Sequence, residues 1–283
     1  IAMTDHGNLF GAVEFFNGAK KRGLKPIIGC ELYVAPETRL EKTTNYNLRD
    51  ASYHLILLAK NEQGYKNLLK LVTAGYLEGL YYKPRIDKDL LSQHAAGLIG
   101  LSSCLKGEVA TGLRTEQYEK AVEAAATYRE ILGSKNFFLE MQYQGIDEQK
   151  TVNMGVPRIA RELDLPIVGT NDVHYLRQGD SRPHDVLLCI GTGKVVGDEK
   201  RLRYHGDQFY LKTPEEIEKK LKSYLHHREY ELNPIGVDKI KNLIEQKKTV
   251  YNLKTDKRLN QFNSGNKLNK IDINILPKYI LEN

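Results

Sequence analysis

The sequence predicts an α/β protein built on a mainly parallel sheet. Short apolar runs rich in β-branched residues, such as residues 26–34 and 53–59, are typical of buried strands. Segments between such runs carry apolar residues at helical spacing, and strand and helix alternate five or six times. This alternation indicates crossover helices on a parallel sheet, which is either open or closed into a barrel.

The first predicted elements are a strand at residues 1–4 and a helix at residues 9–22, separated by a polar turn. Apolar residues at helical spacing indicate the helix, and a basic last turn before Gly23 predicts its end. The next strand, residues 26–34, contains one charged residue, Glu31. A side chain of this type in an apolar strand is a candidate for function.

A polar excursion at residues 36–52 leads to the third strand, and Asn61 is the predicted cap of the helix that follows it. The later elements are predicted in the same way, from apolar runs, capping residues and breakers. They are a strand at 97–104, a helix at 115–132, a strand at 136–141, a helix at 153–163, a strand at 165–169, a helix at 181–190, a strand at 207–212 and a helix that begins with a capping box at 213–216.

The composition changes near the end of the chain. Residues 225–283 contain nine Asn and no Ala, whereas residues 1–224 contain nine Asn and many Ala. We therefore predict a domain at residues 1–216 and an unassigned Asn/Lys/Ile-rich tail at residues 217–283, short and either helical or disordered. A helix near residues 237–247 is the one element that its pattern suggests.

Overall composition limits the class of protein. Charged residues make up 28% and hydrophobic residues 41% of the 283 residues, as in ordinary globular proteins. The net charge of +6 permits contact with nucleic acid. The sequence contains no run of eighteen apolar residues, so no membrane span is predicted. Three unpatterned cysteines favour a reducing cytoplasm over a disulfide framework.

Polar groups that ligate metals recur at the predicted strand ends. They are Asp5, His6, Glu31, His54, Cys104, Asp172 and His174. Strand ends of one sheet converge, and these side-chain types bind Zn²⁺ and Mn²⁺-type ions, so they predict a metal cluster able to support phosphoester hydrolysis.

Each member of this set also has a plain structural interpretation. Asp172 and His174 could be a hydrogen-bonded loop pair, and Glu31 a salt-bridged carboxylate. His54 could be a core histidine and Cys104 an inert buried thiol. Cys30 and Cys189, which face apolar neighbours, are predicted to lie in the core.

Six motifs carry a resemblance to a known family. They are TDHGNL at residues 4–9, KPIIGCE at 25–31, HLILLAKN at 54–61, GY-x-NL at 64–68, LSSCLKGEV at 101–109 and TNDVHY at 170–175. In this order they resemble the polymerase and histidinol phosphatase (PHP) domain. More narrowly, they resemble the PHP domain at the N-terminus of bacterial DNA polymerase III alpha subunits. The similarity covers roughly residues 1–216.

The resemblance implies a distorted (β/α)7 barrel with metals at its strand ends. The ligands that it implies, by motif, are His6, Glu31, His54, Cys104, Asp172 and His174, whereas Asp5 is expected to be structural. Zn or Mn is expected, with Mg as a further option. The family's first motif, a His-x-His, would lie upstream of Ile1, so we expect the first barrel strand to be missing and metal affinity to be reduced.

The resemblance also implies a function in DNA replication. The expected activity is a metal-dependent 3′–5′ exonuclease or phosphoesterase, in which the metals hold a hydroxide and the scissile phosphate and the catalytic residues Asp172 and His174 are metal ligands. The expected partners are DNA, a proofreading exonuclease and a sliding clamp. No carboxylate triad of a polymerase palm is recognisable. Two alternatives remain open: a non-catalytic scaffold that docks a separate exonuclease, and a stand-alone small-molecule phosphatase.

Overall fold

The computed structural model describes residues 1–42 and 52–226, where one curled sheet carries helices on its outer face. The turn after the first strand and the segment after the last strand approach each other, since the His6 and His174 rings lie 6.0 Å apart. The curled sheet thereby encloses a concave inner surface.

Eight strands form this sheet in the order β4-β5-β2-β3-β6-β7-β8, with β1 paired to β2. The strands are β1 (Ala2–Met3), β2 (Ile27–Val34), β3 (Tyr53–Ala59), β4 (Leu80–Tyr81), β5 (Lys83–Ile86), β6 (Leu98–Leu101), β7 (Phe137–Gln142) and β8 (Ile167–Thr170). The helices are α1 (Ala12–Lys21), α2 (Glu62–Leu77), α3 (Lys88–Gln93), α4 (Glu108–Arg114), α5 (Tyr118–Leu132), α6 (Asp147–Glu162), α7 (Ser181–Thr192) and α8 (Pro214–His226).

The direction of β3 departs from the sequence prediction of a parallel sheet. β3 runs antiparallel to both of its neighbours, β2 and β6, whereas β6, β7 and β8 are mutually parallel. Apolar content and length do not encode strand direction, so the sequence pattern could not reveal this inversion. Its consequence is that the start of β3 lies beside the end of β2.

The two faces of the sheet bury different apolar sets. On the outer face, Cys30, Leu32 and Leu57 pack with the helices in the main core. The inner face carries a smaller cluster composed of Ile27, Ile56, Leu58, Ile99, Leu101, Phe138 and Val168. Because side chains alternate along a strand, Glu31 shares the inner face with Ile27 and lies above this apolar floor.

Close backbone approach fixes α2 against the sheet. The Asn61 side chain accepts a hydrogen bond from Gly64 N at 2.9 Å, which confirms the predicted cap. A Cβ atom on Gly64 would overlap the carbonyl oxygen of Gly97, which itself has φ +74°. Glycine at position 64 is therefore required by the contact between α2 and the turn before β6.

The last helix crosses the predicted domain boundary. α8 begins with the predicted capping box, in which Thr213 N donates to Glu216 Oε2 at 2.7 Å and Glu216 N donates to Thr213 Oγ1 at 3.3 Å. Ile217 and Leu221 of this helix are buried in the main core. A boundary between residues 216 and 217 therefore falls inside α8, while residues 227–283, including the helix suggested at 237–247, lie outside the described residues.

Other predicted elements differ from the structure. The strand predicted at residues 207–212 is wrong, because this segment forms only an isolated bridge between Tyr175 and Tyr210. The helix predicted at residues 115–132 is α5, which begins at Tyr118 and ends at Leu132 as predicted, whereas α4 was not predicted; Glu116, between the two helices, has φ +59°. The β4–β5 hairpin was not predicted. Within residues 1–42 and 52–226, no helix is both long and apolar enough to cross a bilayer.

Substitution of Gly64 by Ala should destabilise the fold by about 1–3 kcal/mol, the usual cost of overpacking a tight contact. Gly18→Ala is the matched control, since the nearest atom to a Cβ there is the Arg22 Nη1 at 3.7 Å. It should be neutral or stabilising by up to about 1 kcal/mol. Urea unfolding curves measure the change in the free energy of unfolding for both variants. Equal changes in the two helices would contradict the packing argument.

Candidate metal centre

Three metal-ligating side chains meet at the upper end of the inner surface. His6 follows β1, and its backbone forms a bridge to Glu31 in β2. His54 is the second residue of β3 and lies opposite Tyr33, two residues beyond Glu31 on the same face of β2. Since β3 is antiparallel to β2, a residue at its start can reach a residue near the end of β2.

The carboxylate of Glu31 is the centre of this group. Its Oε1 lies 2.7 Å from His6 Nδ1 and 2.6 Å from His54 Nδ1. One ligand atom from each of the three residues lies within 4.8 Å of the others. Glu31 and His54 are buried, whereas the His6 side chain is 51% exposed, so a path from solvent reaches the group.

The arrangement fits a cation better than a hydrogen-bonded cluster. Oε1 of Glu31 is buried and has no hydrogen-bond partner of acceptable geometry among the described residues, despite the two nearby ring nitrogens. A buried, unsatisfied carboxylate oxygen is costly. Imidazole nitrogens and a carboxylate oxygen that converge in this way are the usual donors to Zn²⁺ or a similar ion.

The charges of the group shift the titration of its members. Burial alone would raise the pKa of Glu31, but the facing imidazoles of His54 and His6 together lower this pKa to about 2. The pKa of His6 is raised, chiefly by its contact with Glu31. Without a cation, a proton on imidazole therefore compensates the buried carboxylate.

Cys104 extends the group on the side of β3. Its Sγ lies 3.6 Å from His54 Nδ1. Burial raises the pKa of the thiol, and the charges of Asp172 and Glu31 raise it further. The preceding residue, Ser103, has φ +65°, a conformation that non-glycine residues rarely adopt.

Asp172 and His174 approach the group from the segment after β8. Asp172 has φ +48°, and its Oδ2 accepts a hydrogen bond from Gln144 Nε2 at 3.3 Å. Burial raises the pKa of Asp172, and His174 opposes the shift. The His174 ring packs 6.0 Å from the His6 ring, between centroids. The two residues thus border the His6–Glu31–His54 group without joining its closest set.

The sequence analysis missed a second buried carboxylate, that of Glu140 in β7. Its Oε2 accepts a hydrogen bond from Ser103 N at 2.5 Å, and its Oε1 accepts one from Thr170 Oγ1 at 2.7 Å. Ser103 Oγ in turn donates to Glu31 Oε2 at 3.2 Å. Burial raises the pKa of Glu140 to about 7. A lone charge in an apolar strand was the available signal, as it was for Glu31.

Aromatic side chains line the site and were also missed. The Tyr33 ring lies 5.1 Å from the His54 ring, and Lys83 Nζ lies 5.4 Å from the Tyr33 ring centroid. Tyr204 Oη contacts His174 Nε2 at 3.0 Å. Tyr204 belongs to an irregular segment, so no periodic pattern marked it.

The seven predicted site residues are therefore placed as follows. His6, Glu31 and His54 converge, Cys104 contacts His54, and Asp172 and His174 lie on the adjacent side. Asp5 is exposed and contributes its backbone carbonyl, which accepts from Glu31 N at 3.0 Å. Cys30 and Cys189 are buried, free thiols. The assignment of ligands and the choice among Zn, Mn and Mg stay predictions.

In chelator-treated protein, the free energy of unfolding should fall as pH rises above 6.5, the ordinary pKa of histidine, and through the raised pKa of folded His6. A raised pKa for His6 contributes stability below its unfolded value of 6.5 and loses it above the folded value. The effect should be at most about 1 kcal/mol, because His6 is half exposed.

Glu31→Gln should abolish this pH-dependent fall, and substitution of the exposed His205 by Gln should preserve it. Urea unfolding at several pH values measures the slope of the free energy of unfolding against pH. The same slope in wild type and Glu31→Gln would contradict the pairing of His6 with Glu31.

Similarity to known proteins agrees with this geometry. A family model described as the PHP domain matches residues 1–144 of the 283-residue chain. The chain is 47% identical to the DNA polymerase III subunit alpha of Treponema pallidum over 237 residues, covering 84% of this chain and 20% of that protein. The proteins of the same name from Borreliella burgdorferi and Thermus aquaticus are each 46% identical over 217 residues, covering 77% of this chain and 19% and 18% of theirs.

The chain spans about a fifth of the length of the curated relatives it matches. The family match covers just over half of the chain and includes His6, Glu31, His54 and Cys104. With its curled sheet and its convergent His and Glu side chains, the chain belongs to the PHP domain family.

Proposed function

We propose that the chain is the PHP part of a bacterial DNA polymerase III alpha subunit and that it hydrolyses phosphodiesters at the 3′ end of DNA with a divalent metal. The relatives' printed name supports a role in DNA replication. The proposed metal is Zn or Mn, because the donor set combines imidazole, thiol and carboxylate groups, whereas Mg prefers oxygen ligands alone.

The observation that carries this proposal is the unsatisfied Oε1 of Glu31 between two imidazole nitrogens. A structural carboxylate buried on the inner face of a sheet would be expected to find hydrogen-bond donors. Oε2 of the same group does accept a hydrogen bond from Ser103 Oγ. One oxygen of Glu31 is thus held by the protein, and the other is left for a cation.

A bound divalent ion would supply a hydroxide at neutral pH and polarise a phosphoryl oxygen. The chain's own residues provide the rest of the site. Glu31, His6 and His54 hold the cation on paired strands, and Asp172 and His174, the proposed catalytic pair, border the open side. The apolar floor beneath Glu31 keeps water out from below, which strengthens the electrostatic interactions above it.

The proposed partners follow from the proposed identity. They are DNA, a proofreading exonuclease and a sliding clamp, which the chain would meet as part of a longer polymerase subunit. The net charge of +6 is compatible with binding to DNA. A cytoplasmic location agrees with these partners and with the three free cysteines.

The purified chain should release nucleotides from 3′-labelled single-stranded DNA when Zn²⁺ or Mn²⁺ is added, and not in chelator. Glu31→Gln should reduce the rate and the zinc affinity by at least about 100-fold, since even outer partners of metal ligands contribute about 10–100-fold. Glu62→Gln is the matched control, because Glu62 is exposed on α2 and forms an ion pair with the exposed Lys66.

Three outcomes separate the alternatives. Zinc binding without hydrolysis of DNA or of a small phosphate monoester would favour the scaffold. Hydrolysis of the monoester alone would favour the small-molecule phosphatase. Failure of Glu31→Gln to weaken zinc binding would contradict the site itself.

The chain should also show no DNA synthesis, because it offers no recognisable palm-type carboxylates to hold two Mg²⁺ ions. Primer extension with a labelled primer and all four nucleotides measures this, and a purified full-length polymerase serves as the positive control. Extension above background would refute the expectation.

A further inference from the structure

The tautomer of His174 follows from its hydrogen bonds. Nδ1 lies 3.0 Å from the backbone carbonyl oxygen of Asp172. A carbonyl oxygen only accepts, so Nδ1 of His174 must carry the proton. In the neutral imidazole, Nε2 is then the acceptor, with its lone pair directed away from Asp172. Metal-ligating histidines are commonly oriented by such a backbone carbonyl.

The hydroxyl of Tyr204 forms a hydrogen bond with the remaining lone pair of His174, that of Nε2. Its hydroxyl lies 3.0 Å from His174 Nε2 and acts as the donor there. The two rings are 4.5 Å apart between centroids. Phe209 packs edge-on against Tyr204 at 4.8 Å, and His184 packs edge-on at 5.1 Å. The tyrosine is therefore held in place by its ring as well as by its hydroxyl.

A salt bridge fixes the segment that carries Tyr204. Arg201 donates to both carboxylate oxygens of Asp185 in α7, at 2.5 and 2.7 Å. Arg203 donates to the backbone carbonyl of Asp198 at 2.6 Å. The segment before Tyr204 is thus tied to α7, the helix that also presents His184. The contact between Tyr204 and His174 is therefore built into the fold around it.

We infer that Tyr204 lowers the affinity of the metal centre for a cation, because its hydroxyl caps Nε2 of His174 until a cation takes that nitrogen. The inference rests on the proposed function in one respect, namely that His174 is a ligand. One lone pair cannot accept a hydrogen bond from tyrosine and bind a metal at once. Tyr204 therefore competes with the cation for this nitrogen, while the carbonyl of Asp172 fixes the tautomer of His174.

The test is a zinc titration of the full 283-residue chain, with wild type and Tyr204→Phe compared. Loss of the hydroxyl removes the competitor and keeps the ring packing, so zinc affinity should rise by about two- to tenfold, the equivalent of one ordinary hydrogen bond. Tyr210→Phe is the matched control, because that hydroxyl donates to the exposed Glu216 at 2.9 Å. Its zinc affinity should equal that of the wild type.

A double-mutant cycle separates the cap from a general effect on structure. In the His174→Ala background, Tyr204→Phe should leave the residual zinc affinity unchanged, because no nitrogen remains to be capped. An unchanged or weaker affinity of Tyr204→Phe in the wild-type background would overturn the inference. Equal effects in both backgrounds would overturn it as well.

The same titrations distinguish this inference from the proposed function. If the wild type binds zinc and Glu31→Gln abolishes binding, but Tyr204→Phe changes nothing, only the cap is overturned. If the wild type binds no zinc, both proposals are overturned.

Discussion

The structure depends on one buried carboxylate, that of Glu31, placed between two imidazoles on the inner face of a curled sheet. Burial of this charge above an apolar floor is unfavourable unless positive charge compensates it. The surrounding strands are arranged to supply that charge. His6 follows the end of β1, and His54 is the second residue of the inverted β3, so both rings reach the same oxygen. A β3 parallel to β2 would start at the opposite end of the sheet and remove His54 from the site.

A second set of interactions keeps the carboxylate in position. Glu140 holds the backbone of Ser103, whose hydroxyl holds Oε2 of Glu31. The left-handed backbone of Ser103 makes both contacts available from one residue. Thr170 connects Glu140 to the end of β8, just before Asp172. The hydrogen bonds thus link three strands around the site, and strained backbone at Ser103 and Asp172 is stabilised by its neighbours.

Sequence patterns identified β2 and β3 well, because an apolar run bounded by breakers marks a buried strand regardless of its neighbours. They could not give the direction of β3, which depends on pairing between distant segments. They misread residues 207–212, where Phe209 packs against the His174 ring, Tyr210 forms only an isolated bridge to Tyr175, and Leu211 is exposed. The candidate ligands were identified from motifs. Glu140 carried the same signal as Glu31, whereas Tyr204 carried none, since its role arises only from contacts with His174 and α7.

The site therefore has two parts that differ in rigidity. His6, Glu31 and His54 lie on or directly beside paired strands, where backbone hydrogen bonds fix their positions before any cation arrives. Asp172 and His174 lie beyond β8 in irregular chain, held by Gln144, Tyr204 and the carbonyl of Phe209. Side chains on strands are positioned more accurately than those on loops. The second part can therefore rearrange without disturbing the sheet, and under the proposal that His174 is a ligand, any change on metal binding is expected there.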